Sequence, residues 1–378
     1  MPGVLVHEWI SRIGGSEKVF DAMVEAFPDA DLLTLWNDDA ENRYPGRPVR
    51  ESWLARTPFR RSKALALPFM PSAWRNRVGG YDWALVSSHA FAHHVTFRGS
   101  SADFRKYVYV HTPARYLWAP ELDARGQGVL PRLIGPSLKR LDRRRAQETT
   151  EFAANSEYVR ARIQRAWGRD ARVIYPPVEV DRITSVPDWG ERLTEPEHAL
   201  LDGLPRPFVL GASRFIPYKR LDLVIAAGGA AHLPVVLAGS GPEESRLRVQ
   251  GREAPVPVQF VHEPSDALLY ALYQAAAVFV FPAVEDFGIM PVEAMAAGTP
   301  VVVGPEGGAR ETVIDGVTGA VASGLAGAPL AEAIQRSCRV DREACTAQAL
   351  AYGRPRFARE LNEWLGVRTD VKAGGARA

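Results

Sequence analysis

The sequence predicts an α/β protein made of two doubly wound, Rossmann-like parallel-sheet domains in tandem, facing a central cleft. Three observations carry that expectation. Each half opens with an apolar strand, a loop, an amphipathic helix and a further strand, the order that yields a parallel sheet. A chain of 378 residues has the length of two domains. Pro176-Pro177 and the polar, proline-containing run 184–207 then interrupt the pattern, as a linker does.

In the first half, strands are expected over residues 4–7, 31–35, 83–87, 107–111, 152–155 and 172–175. Gly14 and Gly15 form the first loop, and a helix follows over 16–26. The stretch 50–77 carries seven basic residues and one acid around Leu54, Phe59, Leu65, Leu67, Phe69, Met70 and Trp74, an unusual mixture for a plain loop. In the second half, strands at 208–212, 235–238, 258–261 and 278–281 alternate with helices at 219–227, 243–249 and 265–275. The expected domains are 1–183 and 208–353, joined by 184–207. A helix follows from residue 354, with Phe357, Leu361 and Trp364 on one side, and the Ala/Gly-rich tail 371–378 reads as disordered.

Composition narrows the function. With 46% hydrophobic and 24% charged residues the chain is ordinary globular protein, large enough for a core in each half. Its net charge of +2 hides an asymmetry, with about +7 over residues 1–180 and about −5 over the rest. That excludes a wholesale nucleic-acid binder and points to one basic half facing something anionic. The longest apolar stretch, 267–284, is broken by Gln274 and Pro282 and divides into a helix and a strand rather than a membrane span. Cys338 and Cys345 are the only cysteines and read as two turns apart on one helix, about 10.5 Å of rise, too far to bridge. Free thiols and a start unlike a signal peptide place the protein in the cytoplasm.

The most informative segment is 284–303, read as a carboxylate-bearing loop, a helix opening at Pro291, then Gly298 and a β-branched strand. The first-turn proline leaves the amides of Phe287, Gly288 and Ile289 free to face an anion, and Glu285 and Glu293 can accept hydrogen bonds from sugar or ribose hydroxyls. A first-turn glutamate complementing the helix dipole accounts for Glu293 alone. Residues 213–220 place Arg214 and Lys219 between a strand and a helix start, where the dipole is already positive, so something negative should sit against them. A salt bridge to Asp222 or another nearby acid is the structural alternative to a diphosphate held by the Arg214 fork and the Lys219 point charge. Gly239 and Gly241 fit a tight turn as well as a ligand contact. His111 ends a strand on the face of Tyr107 and Tyr109, so it either faces the crevice or is a buried histidine bonded to a carbonyl. His93, His94 and Asp103 do not form a convincing ligand spacing, and no Asp-x-Asp pair is available to hold a metal.

These segments resemble the retaining, GT-B-fold glycosyltransferases of family four. The resemblance runs from Leu-Val-His-Glu-Trp-Ile-Ser-Arg-Ile-Gly-Gly-Ser-Glu-Lys-Val (5–19) through Tyr-Val-His-Thr-Pro-Ala-Arg-Tyr (109–116), Ala-Ala-Asn-Ser-Glu-Tyr-Val (153–159) and Ile-Tyr-Pro-Pro-Val (174–178). It continues in Ser-Arg-Phe-Ile-Pro-Tyr-Lys-Arg-Leu-Asp (213–222), Gly-Ser-Gly-Pro-Glu (239–243), Glu-Asp-Phe-Gly-Ile-Met-Pro-Val-Glu-Ala (285–294) and Glu-Gly-Gly-Ala-Arg-Glu-Thr-Val (306–313). The wording is most similar to the bacterial O-antigen mannosyltransferase branch.

The resemblance implies a GT-B fold in which Arg214 and Lys219 bind the donor diphosphate and Glu293 holds the ribose. Glu285 would lie against the transferred sugar with the amides of residues 287–289, while His111 and the Gly14-Gly15 loop close over it from the other domain. The base would be held around 261–268, where His262 replaces an expected glycine. The tail helix, 354–370, would cross back to the first domain. The implied reaction is retaining transfer of a hexose, mannose from GDP-mannose, to a glycan or lipid-linked acceptor, with the nucleotide sugar as co-substrate and no required cofactor or metal. Arg60, Arg61, Lys63 and Arg115 would form the acceptor side, touching an anionic membrane surface, with the protein peripheral on its inner face. An epimerase or hydrolase of the same fold would consume or rearrange donor without acceptor, and a non-catalytic sugar-nucleotide-binding subunit would bind donor and turn nothing over.

Overall fold

The computed structural model describes residues 2–11, 14–39, 43–119 and 129–366. The chain forms two compact units: Met1–Pro177 together with the chain from Pro355, and Val178–Arg354. The first is organised around a seven-stranded sheet made of β1 (Gly3–His7), β2 (Asp31–Thr34), β3 (Val49–Glu51), β5 (Trp83–Ser88), β7 (Arg105–Val110), β8 (Glu151–Ala154) and β9 (Arg172–Val173). A separate two-stranded ribbon pairs β4 (Arg77–Val78) with β6 (Phe97–Arg98). The second unit holds β10 (Val209–Ala212), β11 (Val235–Ala238), β12 (Val258–Val261), β13 (Val278–Phe281), β14 (Val301–Val303) and β15 (Gly319–Val321).

Both large sheets are parallel throughout. Their orders are β3-β2-β1-β5-β7-β8-β9 and β12-β11-β10-β13-β14-β15. In each, the chain winds outward one way, returns to the middle and winds out the other way. The order therefore reverses between β1 and β5 in the first unit and between β10 and β13 in the second, and crevices outside the carboxyl ends of such sheets open at those points.

The period-two geometry of a strand divides the first unit's core. Val4, Val6, Ala84, Val86, Val108 and Val110 pack on one face, while Leu5, Trp83, Leu85, Tyr107 and Tyr109 pack on the other. The second face is closed by the C-terminal helix Arg354–Leu365, whose Phe357, Leu361, Trp364 and Leu365 are buried there. Phe357 meets Tyr109 edge-on at 5.7 Å between ring centroids, and the Trp364 indole N–H donates to Glu151 at 3.0 Å. In the second unit, Val209, Val235, Leu237, Val278, Val280 and Val302 share a core with the helices Leu221–Ala231 and Gly327–Ser337.

Several expectations need correction. The chain enters the second unit at Val178, whose N–H bonds Tyr352 O at 2.9 Å, rather than after residue 183. The run 184–207 is not a free linker. It contains the 3-10 turn Trp189–Arg192 and the helix Glu195–Asp202, the latter opened by a Thr194/Glu197 capping box. Trp189 is buried against Tyr270, ring centroids 4.7 Å apart, so this polar run gains its order from tertiary packing. The basic stretch 50–77 is built of short strands, turns and helices whose Leu54, Met70 and Trp74 are buried. Cys338 and Cys345 are free, but they belong to two separate helical segments. Strands β3 and β15, three residues each, carried no sequence signal strong enough to mark them. The expected tail 371–378 and part of the 354–370 segment lie outside the described residues.

Candidate active site

At the second unit's reversal point, the loop after β10 and the loop after β13 meet. Lys219, in the 3-10 turn Pro217–Lys219, forms an ion pair with Glu285, 66 residues away in sequence. The lysine stem lies beside Phe281, its Nζ 5.5 Å from the ring centroid, and only 11% of the side chain is exposed. Aromatic surface and shielding from water strengthen any charge interaction made there. Arg214 is exposed at the other end of the same loop and, among the described residues, has no ion-pair partner. Asp222 takes Arg220 at 3.2 Å, so the salt-bridge alternative is met at Lys219, by Glu285, and not at Arg214 among the described residues.

The helix carrying Glu293 opens at Ile289, two residues before Pro291, with Gly288 as its cap at φ +90°. A side chain at Gly288 would be strained by that backbone and would press against Ala309 at 2.8 Å. The N–H groups of Gly288 and Ile289 have no hydrogen-bond partner among the described residues. Orphan donors at a helix start suit an anion. Gly308 N–H bonds Glu285 O at 2.7 Å, so the Glu-Gly-Gly loop after β14 fixes the backbone that carries Glu285. Glu293 is itself buried, and its charge helps hold the Tyr270 and Tyr273 phenols above their ordinary range, after burial. Gly239, at φ +136°, serves the turn: a Cβ there would stand 1.9 Å from Ser213 O, and Phe215 N–H bonds Ser240 O at 2.7 Å. His262 is mostly exposed and lies 3.4 Å from Glu244.

In the first unit, His111 follows β7 at the crevice edge, with Tyr107 and Tyr109 on one core face below it. Its Nε2 bonds Ser87 Oγ at 2.8 Å, and the same oxygen bonds His7 Nδ1 at 2.9 Å. Burial lowers His111 to about 3 and His7 to about 4, so both rings are neutral at ordinary pH. Gly14 is extended rather than left-handed, and a Cβ there would stand 2.0 Å from Glu17 Oε2, so this glycine makes room for a carboxylate of its own unit. Of the acceptor-side cations, Arg60 is engaged by Asp38 at 2.6 Å and by the carbonyl oxygens of Asn37 and Ala55. Arg61 and Lys63 are exposed, with Lys63 Nζ 4.3 Å from the centroid of the Trp9 ring, and Arg115 is half-buried at the start of the short helix Arg115–Trp118.

Sequence reasoning missed the polar ends of β1 and β5. Glu8 is fully buried and accepts from the Ala90 and Ala92 amides at 2.8 and 2.7 Å, anchoring the loop after β5. Burial raises its carboxyl to about 7 in spite of those bonds. The available signal was the interruption of two apolar strands by His7-Glu8 and Ser87-Ser88 at adjacent carboxyl ends.

His93 and His94 do meet a carboxylate, that of Asp142, with ligand atoms of all three within 4.8 Å of one another. Both Asp142 oxygens are already filled: Oδ1 lies 3.0 and 2.9 Å from the two histidines, and Oδ2 accepts from the Trp118 and Trp167 indoles at 2.7 Å each. An indole N–H can only donate, so half of the carboxylate is committed to hydrogen bonds, and the His94 nitrogen facing Oδ1 must carry a proton to bond it. Lys106 is buried beside the cluster and bonded to His93 O at 2.9 Å, and burial pushes its amine down to about 7. The cluster is a buried polar core around Asp142, in which His93 Nε2 and His94 Nδ1 make no hydrogen bond among the described residues.

A raised carboxyl has a measurable consequence. The folded chain keeps a proton on Glu8 that the unfolded chain releases above about 4.5, so this group's stabilisation is complete below that pH and is lost as pH rises through about 7. The thermal midpoint of wild type minus that of Glu8→Gln should therefore fall between pH 5 and 7.5; a constant difference contradicts the assignment.

Residues 13–182 match the model described as Glycosyltransferase Family 4, and residues 200–345 match Glycosyl transferases group 1. The chain is 34% identical over 186 residues to the GDP-mannose-dependent alpha-(1-6)-phosphatidylinositol monomannoside mannosyltransferase of Mycolicibacterium smegmatis, covering 45% of this chain and 48% of that protein. It is 33% identical over 214 residues to the protein of the same name from Mycobacterium tuberculosis, covering 52% and 54%. The chain spans about half the length of the curated relatives it matches. Among solved structures, HepE of Anabaena in complex with UDP superposes with a TM-score of 0.70 at 19% identity, covering 97% of this chain and 100% of that one. Sucrose-phosphate synthase of Thermosynechococcus elongatus gives 0.68 at 19%, covering 97% and 98%, a likeness of fold. With the two models following one another along nearly the whole chain, and both units wound as that fold requires, the chain belongs to the family-four glycosyltransferases of the GT-B fold.

Proposed function

We propose that the protein transfers mannose from GDP-mannose to a hydroxyl of a glycan or lipid-linked acceptor, with retention of anomeric configuration and without a required metal. The observation that carries the reading is the meeting of Lys219 and Glu285 at the second unit's reversal point, with Arg214 on the same loop and without an ion-pair partner among the described residues. A diphosphate draws Lys219 and Arg214 to its oxygens, and the unbonded amides of Gly288 and Ile289 add partial positive charge. Glu285, released from the lysine, becomes an acceptor for sugar hydroxyls, and Glu293 takes the ribose. GDP-mannose is favoured by the names of the relatives, which are GDP-mannose-dependent. UDP donors are the competitor, since HepE was solved with UDP and UDP-glucose.

The chemistry is electrostatic. The bond from the sugar's anomeric carbon to the phosphate oxygen breaks, a bond to the acceptor oxygen forms on the same face, and the acceptor proton passes to the departing phosphate. Negative charge grows on the diphosphate, and fixed cations and amides stabilise it without reorganising at the moment of reaction. On this route the departing phosphate takes the acceptor proton, so no separate base is needed.

The acceptor side is assigned to the first unit's 50–77 stretch. Trp53, Leu65 and Phe69 are exposed there, beside exposed Arg56, Arg61 and Lys63. Apolar side chains ringed by cations suit an anionic lipid surface. No helix among the described residues is long and apolar enough to cross a membrane.

Thermal stabilisation across a panel of nucleotide sugars should single out GDP-mannose, because a ligand that binds only the folded state raises its stability. Glu285→Gln should keep GDP binding while lowering kcat by roughly 100-fold. Preference for a UDP sugar corrects the donor, and unchanged turnover removes Glu285 from the site. At the membrane, replacing Arg61 and Lys63 by Ala should weaken salt-sensitive binding to vesicles containing anionic lipid. Binding that ignores both salt and these substitutions rules the surface out.

A further inference from the structure

Three side chains at the carboxyl ends of β1, β5 and β7 form one hydrogen-bonded line. His7 and Ser87 are fully buried, and His111 is partly exposed. Ser87 Oγ lies 2.9 Å from His7 Nδ1 and 2.8 Å from His111 Nε2, with no other acceptor for its proton among the described residues. A serine hydroxyl carries one proton, so it donates to one ring and accepts from the other.

The direction follows from the far side of His7. Its Nε2 is buried without a partner. If Ser87 donated to His7 Nδ1, the His7 proton would sit on Nε2 as a buried N–H with no acceptor, a rarer and costlier condition than a bare lone pair. The proton therefore sits on His7 Nδ1 and is donated to Ser87 Oγ. Ser87 donates to His111 Nε2, and the His111 proton is left on Nδ1, which no group among the described residues engages.

Burial keeps both rings neutral. His7 stacks on Phe20 at 4.8 Å, and burial outweighs the pull of Glu17 and Asp21, with Arg43 acting in the same direction as burial. His111 is surrounded by His7, His89 and Tyr109, none of them an anion at neutral pH, and burial and then His7 depress it further.

We propose that Ser87 and His7 are positioning residues that lock His111 as the Nδ1–H tautomer, so that it offers a hydrogen-bond donor to a hydroxyl or phosphate oxygen of the ligand and does not act as a base. The ligand's identity rests on the glycosyltransferase reading above; the tautomer rests only on the first unit. A neutral donor fits a reaction in which the departing phosphate takes the acceptor proton.

The test is nitrogen-15 NMR of the full chain labelled at histidine, with the His111 signals assigned by their loss in His111→Gln. Wild type should show His111 protonated at Nδ1 and unchanged from pH 5.5 to 8. Ser87→Ala should give a mixture of tautomers and a kcat/KM lower by roughly threefold to tenfold, the span of one hydrogen bond's net contribution, expressed mainly in kcat. Ser87→Thr should restore both. A wild-type His111 protonated at Nε2, or titrating within that range, overturns the proposal even if Ser87→Ala fails to fold, as does a Ser87→Ala protein whose His111 tautomer is unchanged. The NMR reading needs no donor. A locked Nδ1–H tautomer in a protein that turns over no nucleotide sugar would sink the functional reading alone.

Discussion

The pairing of Lys219 with Glu285 is the constraint around which the second unit is arranged. An amine and a carboxylate held together beside an aromatic ring, partly out of water, store charge that a ligand can redistribute. The parallel order β12-β11-β10-β13-β14-β15 brings the two loops together, because only where the winding reverses do adjacent strands send their following loops in opposite directions and leave a crevice. Gly307 and Gly308 then support the Glu285 backbone, and Gly288 turns the chain into the helix, whose first N–H groups have no partner among the described residues.

The first unit repeats the winding but fills its crevice differently. Its reversal point carries uncharged and half-charged groups: His7, Ser87 and His111 in line, with Glu8 buried behind them and tied to the loop after β5. Such groups recognise hydroxyls by direction rather than by charge.

Much of this was legible in the sequence, for identifiable reasons. The long, strongly apolar strands and the helices between them announce their type, and the segment around Glu285 and Glu293 combines residues that a plain turn does not need. Arg214 and Lys219 stand out in the sequence because two cations ahead of a helix are locally unfavourable. What escaped notice was set by tertiary contacts. The run 184–207 reads as polar linker until Trp189 is seen buried against Tyr270. Arg60 looks like one more surface cation until Asp38 claims it. Glu8 is one acid at the end of a strand-like run, and becomes intelligible only when the loop after β5 closes over it. Asp142 lies nearly fifty residues from the histidines it joins, so no local spacing could have marked it.

The central claim is that a pyrophosphate displaces Glu285 from Lys219. It is tested most directly by comparing the affinities of GDP and GMP, by calorimetry, in wild type and in Lys219→Gln. The account predicts that wild type prefers GDP by roughly tenfold or more, as a charge-assisted contact to the added phosphate requires, and that the variant loses most of that preference. An equal preference in both proteins would contradict it.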